Sequence, residues 1–290
     1  MASLTLRRSD ILFRIIIYTA CGFAFAAIFL PFLYLVVISF STREEAITRG
    51  FYLIPSRFTW NSYGYLINNR NFVDALRSSV YITAVGTVIN IVLTALMAYG
   101  LSKPYLAGRR WINFMVLFTM LFSGGIIPTY LVIKGLHLLD SYWSLWLSGA
   151  VASFNLIVMR SFFSRFPSEL EEAARIDGCK EFRLLWNIVV PLSMPAIMTF
   201  LLFYLVNNWN TYFSAIIYLD DSAKWPLQVY LRQMLLAAND SSNADELNGF
   251  EYGPPVKMAA VLIAALPLLA IYPLFQKYFN KGMLLGSIKG

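Results

Sequence analysis

Six apolar stretches divide this chain, and none carries a charged residue or a histidine near its middle. They run over residues 11–40, 73–102, 111–133, 142–159, 192–219 and 256–279. A helix needs about 20 apolar residues to cross a hydrocarbon core about 30 Å thick. All but the fourth stretch exceed that length. Backbone polar groups in lipid must bond internally, so these stretches are read as helices. They lack the alternating polar residues of a transmembrane barrel. The expected fold class is therefore an all-α integral membrane protein with six transmembrane helices. The first stretch is too long for a signal-peptide core and no A-x-A cleavage site follows, so it is read as a retained span. Composition agrees: 58% of residues are hydrophobic and 13% charged, where soluble chains show about 45–50% and about 25%.

The few charges are sorted by side. Six spans put both termini on one face. That face, with the second and fourth loops, holds 14 basic and six acidic residues. The opposite face holds nine basic and ten acidic. The whole net charge of +7 thus lies on one side, which is assigned to the cytoplasm. No basic module is left over for nucleic acid, so the basic balance reflects topology. Both termini are expected in the cytoplasm, in a multi-pass protein of the cytoplasmic (inner) membrane. Two parts are distinguished: residues 1–72, holding the tail, first span and first outside segment, and residues 73–290, a core of five spans with an inside loop at 166–191 and a tail at 280–290. Cys21 and Cys179 are too few and too far apart for a disulfide framework. A lone His137 excludes zinc motifs that need two histidines.

The inside loop is the most informative segment. Ser168 is read as the N-cap of a helix, and Glu171 three residues on completes a capping box. Glu169, Glu171 and Glu172 favour the positive helix start. Ala173 and Ala174 are small enough for close approach to a partner. Gly178 suits a left-handed terminating residue. A second amphipathic helix should follow over 180–189, through Phe182, Leu185, Trp186 and Val189.

Read together, Glu172-Ala173-Ala174, three residues, Gly178, nine residues, then Ile188-Val189-Val190-Pro191 resemble the signature loop of permease subunits of ABC importers. The family pattern is E-A-A, three residues, G, nine residues, I-x-L-P. Val190 departs from the usual leucine, and Asp177 before the glycine also fits. The end of the chain, Gln276 to Gly290, is similar to tails of the carbohydrate subgroup, both maltose-type second permeases and the complex-oligosaccharide branch. The resemblance implies a type I ABC importer permease fold in which the loop helix couples to a separate ATPase. It implies that Glu172 meets a basic residue there, that Ala173 and Ala174 give close packing, and that Asp177 and Gly178 form the turn. The tail residues Gly286, Ser287 and Lys289 would reach the ATPase dimer. The implied partners are a second homologous permease, two ATPase subunits and an extracytoplasmic solute-binding protein.

The energy source is consistent with this. No G-x-x-x-x-G-K-[ST] phosphate loop occurs, so ATP and magnesium belong to the partner ATPases and this chain needs no cofactor or metal. No catalytic residue is assigned. Ion-coupled carriers commonly use intramembrane charges, which mark function because they are costly; their absence counts against a secondary transporter, though a sodium carrier using carbonyls stays open. An intramembrane serine enzyme would need a base for Ser148, and only His137 could serve.

The fifth span contains Asn207, Asn208, Trp209, Asn210 and Tyr212, polar and amphipathic groups that are expensive against lipid. They are read either as interhelical hydrogen bonds or as a sugar path, with amides for hydroxyls and aromatic faces for ring surfaces. Asn90, Asn113 and Asn155 are read as structural. In the outside segment 220–255, the family resemblance makes Trp225, Gln228, Tyr230 and Arg232 candidates for contact with the binding protein or its ligand. The expected cargo is an oligosaccharide; the resemblance extends to importers of acidic fragments such as alginate or pectin pieces.

Overall fold

The computed structural model describes residues 8–236 and 253–287, and only the backbone at 8–12, 168 and 277–287. Among the described residues every regular element is helical. The chain groups into two units, Met1–Asn69 with Gln233–Ala264, and Arg70–Arg232 with Ala265–Gly290.

The first unit begins with α1 (Arg8–Ser39), an apolar helix with Pro31 inside it. Two short helices follow, α2 (Arg43–Thr48) and α3 (Asn61–Asn68). Thr42 caps α2 by accepting from the Glu45 amide. Glu45 is buried, and its carboxylate accepts the Ser56 amide at 2.8 Å and the Arg49 guanidinium at 2.7 Å. The Ser56 amide hydrogen bond holds the Glu45 carboxyl below its ordinary pKa. Phe40 and Phe58 stack at 4.4 Å, with Trp60 and Tyr63 closing the aromatic group. Val37, Ile38 and Tyr52 form this unit's small core, with Met258 against it. A cleft of about 340 Å³ lies here, lined by hydroxyl and amide side chains including Thr42, Thr59, Asn61 and Tyr65.

The second unit is built around α4 (Arg70–Ser102), an unbroken helix about 50 Å long. The third apolar stretch is divided into α5 (Arg109–Leu121) and α6 (Ile126–Gly135). Gly125, at φ +86°, marks the break between them. Neither piece alone has the length of a span. The fourth stretch is also divided, into α7 (Tyr142–Ser148) and α8 (Ser153–Phe163), bent by 52°. The inside loop forms α9 (Ser168–Ile176), α10 (Glu181–Leu184), a π-helical turn over Leu185–Val189 and α11 (Val190–Leu192). After an 88° bend comes α12 (Met194–Trp209), then α13 (Phe213–Tyr218) and α14 (Leu227–Leu236). The last helix is α15 (Pro254–Ser287), with Pro267 and Pro273 inside it. Among the described residues three helices are long and apolar enough to cross a membrane, or up to five if each bent pair is one span.

Two apolar clusters sit at different levels of α4. One joins Ala95, Ala98 and Leu101 to α8, the loop and α12. The other joins Ile82 to Leu145, Ala215, Leu219 and Val229. Between them the contacts become polar. A clasp also joins the loops near the second cluster. Asp140, at φ +52°, accepts the amides of Asp220 and Asp221 and the Lys224 ammonium. The Lys224 hydrogen bond holds the Asp140 carboxyl below its ordinary pKa.

Candidate functional site

The inside loop is held to the end of α4 by charge. Lys103 lies one residue past α4 and forms an ion pair with Glu171, the two side chains being 8% and 12% exposed. Its ammonium also stands 4.1 Å from the Tyr99 ring centroid. Tyr99 donates to Glu181 at 2.7 Å, and Arg175 reaches Glu181 at 2.8 Å and the Tyr105 hydroxyl at 2.8 Å. Four cationic or phenolic groups, Lys103, Arg175, Tyr99 and Tyr105, thus gather around two carboxylates, Glu171 and Glu181. Burial acts to raise the Glu181 pKa. The hydroxyls of Tyr99 and Tyr105 and the Arg175 charge outweigh it, so its carboxyl stays below the ordinary value.

This arrangement replaces the expected capping box. Ser168 is the first residue of α9, and Pro167 before it supplies no side-chain cap. Glu171 is engaged by Lys103 instead, because a full charge in a half-dry site binds a carboxylate more strongly than a neutral amide does.

The helix end follows the expectation for glycine. Gly178 has φ +77°. Its amide donates to the Arg175 carbonyl at 3.0 Å, and the Cys179 amide donates to the Ala174 carbonyl at 2.9 Å. These two bonds satisfy carbonyls that the helix leaves open, in the Schellman arrangement. Asp177 is the C-cap and is exposed.

The two alanines face different ways. Ala174 is buried in this chain's own apolar cluster, whereas Ala173 is exposed, as is Glu172. Glu169, Glu172, Ala173 and Ile176 therefore form one free helical face. Ile176 is 86% exposed and Phe182, just beyond, 66%. Ile176 was absent from the sequence-derived set; the signal for it was an isoleucine four residues after Glu172, on the same helical face. The tail residues Gly286 and Ser287 end α15 with side chains outside the described set, and Lys289 lies outside the described residues.

The polar residues of the fifth stretch do not act as one group. Asn208 donates to the Thr87 hydroxyl at 3.1 Å and to the Asn90 carbonyl oxygen at 2.8 Å. The Asn90 amide donates to the carbonyls of Gly149 and Ala150 at 2.8 and 3.0 Å. Tyr204, one turn before Asn208, bonds Thr94 at 2.7 Å and accepts the Ala152 amide at 3.1 Å. These side chains satisfy backbone groups freed where α7 breaks from α8, which lipid could not do. Gly86 admits the contact: a Cβ there would lie 3.0 Å from the Trp146 ring and 3.1 Å from the Asn208 amide. Asn113 accepts from Arg160 at 2.6 Å.

Trp209 is buried. Asn207 and Asn210 are exposed, on a face shared with Phe203 and Val206. The Asn210 amide donates to the Val206 carbonyl at 2.8 Å, leaving its carbonyl oxygen open. Tyr212 follows the helix break and lies beneath Arg232, whose guanidinium is 5.5 Å from the ring centroid. Among the described residues no cluster of His, Cys, Asp and Glu could hold a metal ion.

Comparison with known proteins identifies the architecture. Residues 1–285 match the family described as binding-protein-dependent transport system inner membrane component. The polygalacturonan/rhamnogalacturonan transport system permease protein YtcP of Bacillus subtilis (strain 168) is 48% identical over 264 residues, covering 90% of this chain and 92% of that protein. Protein LplC of the same organism is 46% identical over 281 residues, covering 94% and 95%. Among solved structures, a bacterial ABC transporter involved in the import of the acidic polysaccharide alginate aligns with a TM-score of 0.88 at 31% identity, covering 96% of this chain and all of that one. The inside loop, the long helix that holds it and the broken helices beside it are thus parts of a transport subunit, and the chain belongs to the family of inner membrane permease components of binding-protein-dependent ABC importers.

Proposed function

We propose that this chain forms half of the translocation passage for acidic oligosaccharides, driven by ATPase subunits that dock on the free face of α9. The observation that carries the docking is the face itself: Glu169, Glu172, Ala173 and Ile176 point outward while Glu171, Arg175 and Ala174 tie the same helix to its own chain. A helix held on one face and bare on the other transmits force from whatever binds the bare face. In this reading six crossings are made, the third by α5 with α6, the fourth by α7 with α8 and the fifth by α12. Both termini and α9 lie in the cytoplasm, as the charge asymmetry favours. A second permease completes the passage, two ATPase subunits supply ATP hydrolysis, and a binding protein delivers the sugar. Glu172 meets a basic residue of the ATPase.

The cargo is inferred from chemistry shared by the relatives' described substrates. Polygalacturonan and alginate are both chains of uronic acids. The exposed amides of Asn207 and Asn210 suit sugar hydroxyls, whereas Asn208 and Trp209 hold the passage wall.

The test is uptake into proteoliposomes containing the full importer, its binding protein and ATP, with oligogalacturonate as cargo. ATP-dependent accumulation is expected, and Glu172→Lys should abolish it while the chain still inserts. Full uptake by that variant would overturn the docking assignment.

A further inference from the structure

We propose that Arg232, set on the Tyr212 ring, is a carboxylate subsite at the outer end of the passage that selects acidic over neutral sugar units. This rests on the acidic-oligosaccharide reading above and names the residue that would enforce it.

Four outside residues could serve such a role, and the structure separates them. Trp225 donates its indole N–H to the Leu219 carbonyl at 3.0 Å and packs in an apolar cluster. The Tyr230 ring stands edge-on to Phe72 at 6.0 Å. Gln228 is half-buried, and Arg232 is exposed. Nearby cations mostly face carboxylates: Arg70 and Arg77 share Asp74, and Lys224 holds Asp140. Arg232 instead faces a ring, and no carboxylate among the described residues pairs with it.

That placement has a chemical consequence. A ring held against a guanidinium stabilises the charge without occupying its N–H donors. The planar fork then stays open for bidentate contact with a carboxylate. Lysine could supply the charge but not the fork. Tyr212 follows Asn210 by two residues, at the point where α12 ends, and Asn207 lies one turn earlier. The segment 207–212 thus carries the exposed Asn207 and Asn210 side chains, and the Arg232 fork stands over its Tyr212 ring. A uronate unit carries a carboxylate and several hydroxyls on one ring, matching both.

The experiment uses the complete importer in proteoliposomes with saturating binding protein. The probes are trigalacturonate and its fully methyl-esterified form, which differ only in charge and three methyl groups. The readout is the ratio of uptake rates, acid to ester. Arg232→Gln should lower that ratio by about tenfold or more, the loss of a charged hydrogen-bonded pair. Arg232→Lys should fall between, and Tyr212→Leu should shift the ratio the same way by less. An unchanged ratio in Arg232→Gln would overturn the proposal. So would an equal fall for both probes with weakened affinity for the sugar-free binding protein, which would make Arg232 a docking residue for that protein. If the unaltered importer takes up neutral galactose oligomers and no uronates, the acidic-cargo reading itself fails, before any variant is made.

Discussion

Two polar networks hang on α4, and they are built from different chemistry. At its C-terminal end Lys103, Glu171, Arg175 and Glu181 use full charges, with Tyr99 and Tyr105 as neutral partners. About three turns earlier, Thr87, Asn90 and Asn208 use only amides and a hydroxyl. The difference follows from the surroundings. An unpaired charge within lipid is far costlier than an unpaired amide, so the deeper joint must be neutral. At the interface water can stabilise a charge that loses its partner during movement. The charged joint therefore suits a contact that bears load from outside the membrane. The neutral joint suits a contact that keeps a broken helix in place.

The comparison can be broken by deleting one partner from each network. Lys103→Ala removes the nearer partner of the Glu171 carboxylate and leaves it only Arg175 at 3.8 Å, at a cost of about 3 kcal/mol. Thermal unfolding of the purified chain should report it, and the Lys103→Glu/Glu171→Lys exchange should recover part of the loss. Asn90→Leu removes the donor from the Gly149 and Ala150 carbonyls and leaves the Asn208 amide only its Thr87 acceptor, for about 2 kcal/mol. An Asn90 effect larger than that of Lys103 would reverse the assignment of the load. Gly86→Val tests the neutral joint sterically. Its added carbons meet Trp146 and Asn208, and the overpacking should cost about 1–3 kcal/mol in the same unfolding assay. Gly178→Val should cost about 1–2 kcal/mol through the left-handed backbone, and lower transport more than its stability loss accounts for.

The smallest effect separates the networks by pH. The Glu181 pKa is lowered in the folded chain. Its contribution is therefore fully present above the ordinary carboxylate pKa and is lost as pH falls through the lowered value. The stability difference between the native chain and Glu181→Gln should shrink over that acid range. The difference between the native chain and Asn90→Leu should stay constant, since none of its groups titrates there.

Much of the inside loop was legible from residue order, because its signals are local. Gly178 at a helix end and the run of acidic residues before it need no distant partner. Glu171 was misread for the opposite reason: its partner Lys103 lies 68 residues away, beyond any local pattern. The third apolar stretch read as one continuous helix because average hydropathy passes over Ser123-Gly124-Gly125, although two glycines and Pro128 mark the break. Asn207 and Asn208 look equivalent in sequence. The structure separates them: Asn208, four residues after Tyr204, faces α4 with it, whereas Asn207 is turned about 100° away onto the exposed face of Phe203 and Val206. The pairing of Arg232 with Tyr212 had no sequence signal, because the two meet only after α12 has ended and the chain has turned back.

The central claim is that the bare face of α9 receives the ATPase. It is tested most directly by Ile176→Cys, in a background where Cys21 and Cys179 are serine. The chain alone in detergent should react rapidly with a polar maleimide at this position, since Ile176 is 86% exposed. Assembly with the ATPase subunits should protect the thiol, and the same test at Asp220, exposed in the segment between α13 and α14, should detect no protection. Equal labelling of Ile176→Cys with and without the ATPase would contradict the docking of α9.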